Sequence, residues 1–150
     1  MHLKIDGKHY DIEYTIEASL CAECTEAVTG LMTDVAQAQG EQDIRKLLSS
    51  MANIPQTTLT MFYAGLLENH GADGDKSVII KDDAKKLIKK YFKENPEDDF
   101  YGLMSKLMEQ MGNDGFFKQI GLEQMTEEAQ TKEMKEPQDH KKAKKKVTEK

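Results

Sequence analysis

Apolar and polar residues alternate through the first part of the chain, and this two-residue period is that of a half-buried strand. Leu3 and Ile5 lead into Asp6-Gly7, a strong turn pair, and Tyr10, Ile12 and Tyr14 carry the alternation back. The pattern predicts a β-hairpin. Two strands alone are marginal in water, so the apolar face of the hairpin is expected to rest on helices.

The period then changes to three and four. Thr15 is placed to cap a helix beginning at Ile16, with Glu17 against its positive end. Leu20, Cys24, Ala27, Val28, Leu31 and Val35 form its stripe, and Gly40 is the expected stop. Ile44, Leu47, Leu48 and Met51 make a second stripe, expected to end at Pro55. A third helix is predicted from Thr57 or Thr58, with Leu59, Phe62, Tyr63, Leu66 and Leu67 inward and an end at His70-Gly71. After a loop over Gly71–Ser77, a fourth helix sets Ile80, Ala84, Leu87, Ile88, Tyr91 and Phe92 on one side. Lys85, Lys86, Lys89, Lys90 and Lys93 fall on the other side, and Asn95-Pro96 ends the helix.

Pro96 suits the first turn of a fifth helix, whose inner face is Phe100, Leu103, Met104, Leu107, Met108 and Met111. Asn113-Asp114-Gly115 breaks it, and residues 116–125 form a short apolar coda. Beyond Met125 almost nothing apolar remains. The expected class is therefore α+β, mainly α: an N-terminal β-hairpin packed on about five amphipathic helices over residues 1–125. A Lys/Glu-rich tail over 126–150 is expected to be disordered and flexible.

Composition narrows the function. With 150 residues, 38% of them apolar, the chain is long enough to bury a core without a disulfide or metal staple. Its longest strongly apolar run is Val78-Ile79-Ile80, whereas a membrane-spanning helix takes about 20 such residues. No signal-peptide core interrupts the alternation of residues 1–13. A cytoplasmic protein with no membrane partner is expected. The net charge of −6 is uneven: residues 1–125 carry 13 basic against 21 acidic side chains, while 126–150 carry 8 Lys against 6 acids. An acidic body with a weakly basic tail argues against nonspecific binding to nucleic acid.

Candidate chemistry is sparse. Cys21-Ala22-Glu23-Cys24 has the spacing of a redox or metal pair, but one continuous helix from Ile16 would place Cys21 more than a turn inside it. Both thiols then fall on the apolar face as ordinary core. Zinc needs further ligands, and His2, His9, His70 and His140 are scattered singly. Asp73-Gly74-Asp75 hints at calcium, but the twelfth position of such a loop is Ala84, not Glu. The Lys face of the fourth helix, flanked by Asp82, Asp83 and Glu94, has the character of solvated surface. There is no G-x-S-x-G, no phosphate-binding glycine loop and no paired His on a helix, so no catalytic residue, metal or cofactor is expected. Met104, Met108, Met111, Phe116 and Phe117 remain as soft, adaptable side chains. Such stripes are mostly core, and they also line grooves that accept varied helices.

Three segments, KIDGKHYDIEYTIEA, SSMANIPQTTLTMFYAGLLENHG and DDAKKLIKKYFKENPEDDFYGLMSKLMEQM, occur in an order that resembles tail assembly chaperones of long-tailed (siphovirus-type) phages and prophages of Gram-positive bacteria. The likeness covers roughly residues 1–125. It implies a non-virion, non-catalytic protein of the host bacterial cytoplasm that binds the tape measure protein and keeps it soluble. Such a protein also helps recruit tail tube (major tail) subunits. Family members are small, mainly helical and able to self-associate, and many occur with a frameshifted C-terminal extension. Ala143-Lys144-Lys145-Lys146 is a place where A-rich codons would favour slippage; a gene without a slippery heptamer there would remove that expectation. The family offers no catalytic residues to carry over. On this reading the partner-binding surface is expected at Met104, Met108, Met111, Phe116 and Phe117.

Two other classes make distinct predictions. A small cytoplasmic CxxC thiol protein requires a low thiol pKa and rapid alkylation at neutral pH. A helical regulator binding nucleic acid through the Lys face and tail requires binding that falls steeply with salt.

Overall fold

The computed structural model describes residues 1–37 and 44–123. Expectations for Gly40, for the side chains of Val35, Ile44, Leu47 and Leu48, and for the tail over 126–150 lie outside the described residues and side chains. The chain opens with β1 (His2–Ile5) and β2 (Lys8–Asp11), antiparallel, with Leu3 opposite Tyr10 and Ile5 opposite Lys8. Asp6 and Gly7 both have positive φ, 53° and 75°. That is the two-residue turn whose twist matches paired strands, and Asp-Gly tolerates it best. The expected alternation holds, since Ile5, Tyr10, Ile12 and Tyr14 are buried and their polar neighbours are not.

Most of the core is organised by α3 (Ile44–His70). Helices α1 (Ile16–Leu20), α2 (Ala22–Gln37), α4 (Lys81–Glu94) and α5 (Phe100–Asn113) pack on it, as does β2, while β1 lies against α4. Thr58, Thr60, Met61, Phe62, Ala64, Gly65 and Leu66 are all buried, which covers far more than one stripe. The expected inner residues Leu59, Tyr63 and Leu67 are only half-buried. A helix with neighbours on several sides has no single inner face.

Pro55 does not end a helix; it lies inside α3. An internal proline costs about 3 kcal/mol through the lost N–H and ring crowding. Burial of Met61, Phe62 and Leu66 returns about 1.5–3 kcal/mol for each, so packing outweighs the break. The residues whose bonding Pro55 disturbs, Met51 to Asn53, are exposed. One turn later the Thr58 hydroxyl donates to the Ile54 carbonyl at 2.7 Å and lies 3.3 Å from that of Phe100.

The helix expected from Ile16 is two helices. Cys21 leaves the helical region at φ −76°, ψ 95° and closes α1 by donating its N–H to the Ala18 carbonyl at 3.1 Å. Its own carbonyl accepts from the N–H groups of Cys24 and Thr25, at 3.1 and 3.2 Å, and starts α2. In a straight helix residues 16, 20, 24 and 28 share one side. The break divides that set, leaving Ile16 and Leu20 exposed and Cys24 and Val28 fully buried.

Two further boundaries differ from the pattern. Ile80 precedes α4 as its N-terminal cap and is exposed, because the Asp83 carboxylate accepts from the N–H groups of Ile79 and Ile80 at 2.9 and 3.1 Å and turns the chain there. Pro96 lies in the turn before α5, and Asp99 is the cap, its carboxylate accepting the Gly102 N–H at 2.7 Å. Helix α5 then ends as expected, with Gly115 at φ 74°. Residues 1–116 form one compact unit, and Phe117 begins a second. The first contains every element through α5. The short α6 (Phe116–Gln119) leads into the second, where the Gly121 N–H donates to the Lys118 carbonyl at 3.1 Å.

Candidate functional site

The methionine stripe of α5 is largely core. Met104 is 7% exposed, Met111 and Phe116 are fully buried, and the Phe116 ring meets Tyr14 edge-on at 5.7 Å. Met108 is half-buried. Phe117, also half-buried, begins the second unit. A partner meeting the folded first unit therefore reaches Met108 and finds Met104, Met111 and Phe116 already covered. Side chains at a helical repeat on a helix that packs against α3 are taken up by that packing.

Apart from Tyr101 on α5, which is 64% exposed, the large exposed apolar side chains described in the first unit lie elsewhere. Leu20 is 74% exposed, Ile16 63%, Ile80 58% and Ile79 48%. One contact brings the segments of Leu20 and of Ile79-Ile80 side by side, and a second ties Ile79 to α3. The Lys81 ammonium meets the Glu23 carboxylate at 3.3 Å, and the Tyr63 hydroxyl donates to the Ile79 carbonyl at 3.2 Å. The start of α2, immediately after Leu20 and Cys21, thus adjoins the segment Ile79–Lys81. The sequence pattern assigned Leu20 and Ile80 to inner faces, and only the helix boundaries at Cys21 and Ile80 turn them outward.

Cys21 is half-buried and Cys24 is fully buried, and neither is in a disulfide. They occupy the N-cap and N3 positions of α2, and the Cys24 N–H donates to the Cys21 carbonyl at 3.1 Å. Burial, and then the neighbouring Cys21, push the Cys24 thiol up to about 12.

A constellation that the sequence did not suggest joins His70, Asp75 and Ser77. Buried His70 accepts the Asp11 N–H at Nε2 (3.0 Å), which leaves its proton on Nδ1, 2.9 Å from the Asp75 carboxylate. The Ser77 hydroxyl bonds the other Asp75 oxygen and lies 3.4 Å from the same Nδ1. A nucleophile–base–acid relay needs the serine and the carboxylate on opposite ring nitrogens. Here Nε2 is occupied by a main-chain donor, so the arrangement fastens β2 and the 71–77 loop to the end of α3. The local spacing His70-x4-Asp75-x-Ser77 was the available signal, but only the strand supplying Asp11 defines the role of the ring.

Asp75 also carries a pH prediction. The Ser77 hydroxyl first, then the Ser77 N–H and His70, hold its carboxyl well below the usual range, against an opposing effect of burial. A carboxyl depressed in the folded state stabilises fully above its unfolded pKa of about 3.9 and loses that contribution as pH falls through the folded value. Urea unfolding at pH 6 and at pH 3 is expected to show the wild type losing more stability than Asp75→Asn. Equal losses would remove Asp75 as an acid-sensitive contact.

The Lys face of α4 is exposed as expected, and part of it is paired: Lys90 meets Asp6 at 3.0 Å and Lys86 meets Asp82 at 3.3 Å. A shallow hollow on α2 is lined by Thr25, Glu26, Thr29, Gly30 and Thr33, but the hydroxyls of Thr25 and Thr33 bond carbonyls of their own helical segment. Among the described residues no three His, Cys, Asp or Glu side chains gather as a metal site, and no helix is long and apolar enough to cross a membrane. Set against protein-family models, curated proteins and solved structures, the chain matches none of them.

Proposed function

We propose that this protein is a non-catalytic tail assembly chaperone of a long-tailed phage or prophage. It binds the tape measure protein, keeps that long helical chain soluble, and helps recruit tail tube subunits in the host cytoplasm. The observation that carries the reading is the exposure of Leu20 and Ile80 beside the Glu23–Lys81 ion pair. Apolar side chains on an acidic body suit a partner that presents apolar helix without one fixed sequence. The net negative charge keeps the covered complex in solution by mutual repulsion.

Co-expression with the long helical protein encoded just downstream tests the reading, scored by solubility and co-elution on size exclusion. A soluble, high-mass complex is expected. Each exposed Leu or Ile contributes about 1–2 kcal/mol when a partner covers it, so Leu20→Ser with Ile80→Ser should weaken binding about 100-fold with helicity unchanged. If that variant binds normally and Met108→Ser with Phe117→Ser does not, the contact belongs to the methionine-bearing segment instead. An insoluble partner beside a freely eluting wild-type protein would defeat the function.

A further inference from the structure

The break between α1 and α2 turns the CAEC segment into a different object from two thiols inside one helix. Cys21 sits at the helix start, outside both helices, partly accessible and next in sequence to the exposed Leu20. Cys24 lies one turn on, fully buried. Helix geometry sets Cα atoms three residues apart at about 5 Å. A disulfide spans roughly 4.4–6.8 Å between Cα atoms, so this pair needs no rearrangement of the helix axis to close. The Cys24 N–H donates to the Cys21 carbonyl at 3.1 Å, which fixes the main-chain approach of the two residues.

We propose that Cys21 and Cys24 form a dithiol site that exchanges with accessible disulfides and closes as an intramolecular disulfide. In the first step the Cys21 thiolate attacks one sulfur of a small disulfide. A mixed disulfide forms at Cys21 and one thiolate leaves, taking up a proton from water. In the second step the Cys24 sulfur attacks Cys21 Sγ. Its proton passes to the second departing thiolate as the bond between Cys21 and the small molecule breaks. Two protein thiols are oxidised to one disulfide, and one small disulfide is reduced to two thiols. Roles are divided by access: Cys21 meets the substrate, and Cys24 resolves the intermediate from inside. Burial raises the Cys24 thiol and makes it the poorer nucleophile toward disulfides in solution, so its attack on Cys21 depends on the proximity of the two residues. The site is independent of the tape measure reading, since it needs no partner protein.

The test uses the full-length chain, reduced, equilibrated with oxidised and reduced glutathione in a series of ratios, quenched in acid and alkylated with a maleimide. Mass spectrometry of the oxidised wild type is expected to show a monomer two hydrogens lighter that takes up no maleimide. Cys24→Ala should accumulate the glutathione mixed disulfide at Cys21. In folded Cys21→Ala, Cys24 should react on the order of 100-fold more slowly than Cys21 does in Cys24→Ala. A wild type that stays a dithiol, stops at the mixed disulfide or forms covalent dimers under oxidising ratios overturns the proposal. Equal reactivity of the two thiols overturns the division of roles. The wild-type measurement stands even where a variant fails to fold.

Discussion

Tyr14→Ala is expected to remove about 3–5 kcal/mol of stability, the range for deleting a large aromatic side chain from a core. Tyr14 is 1% exposed, its hydroxyl donates to the Met61 carbonyl at 2.8 Å, and its ring lies edge-on to Phe116. Its N–H donates to the Asp114 carboxylate at 2.9 Å, so this one residue joins the end of the hairpin to the middle of α3 and to the turn after α5. Against a typical total of about 5–15 kcal/mol, the loss is severe. Urea unfolding followed by circular dichroism measures it. Tyr14→Phe separates the hydroxyl from the ring and should lose only about 1 kcal/mol. A loss below about 1 kcal/mol for Tyr14→Ala would mean that the hairpin does not pack on α3 as described.

Gly65→Ala is the second large effect, and its sign runs against helix propensity. An alanine in a helix interior ordinarily gains about 1 kcal/mol over glycine. At position 65 the new methyl would stand 2.5 Å from Ile12 Cγ2, 3.1 Å from Tyr14 Cζ and 3.2 Å from its hydroxyl oxygen. Ile12 and Tyr14 are both buried, and the Glu13 N–H between them donates to the Gly65 carbonyl at 3.0 Å. The strand extension therefore has no room to withdraw. Overpacking of this kind costs about 1–3 kcal/mol, enough to exceed the propensity gain. Gly30→Ala, in α2 with nothing within 4 Å of the added methyl, should instead stabilise by about 0.5–1 kcal/mol. Thermal melts of the two variants moving in opposite directions would establish the close approach at Gly65; both rising would exclude it.

These two positions show where sequence reasoning stops. The alternation over Ile5, Tyr10, Ile12 and Tyr14 was legible because strand period and the Asp-Gly turn are local properties. The Cβ-free position at Gly65 was not, because only Ile12 and Tyr14, more than fifty residues away in the chain, make it matter. Pro55 misled for a related reason. A proline is a stop in an isolated helix, but the residues after it are buried on several sides and hold the helix together. At the candidate site, the methionine stripe was visible by its spacing, yet spacing does not tell core from groove. The exposure of Leu20 and Ile80 left no trace in the pattern, since each lies at or beside a boundary set by main-chain bonding.

The linear chain by itself determined the hairpin and its register, the helical character of the segments beyond Thr15, the buried faces of α4 and α5, and the acidic balance of residues 1–125. All of these arise from period, turn chemistry and charge, which act over a few residues. Tertiary structure alone decided that α3 is central, that Cys21 divides α1 from α2, and that His70 is held by Asp11 and Asp75. It also decided which apolar side chains remain outside. Those outcomes depend on competition among several helices for the surface of one, and that competition is settled by contacts between residues far apart in the chain.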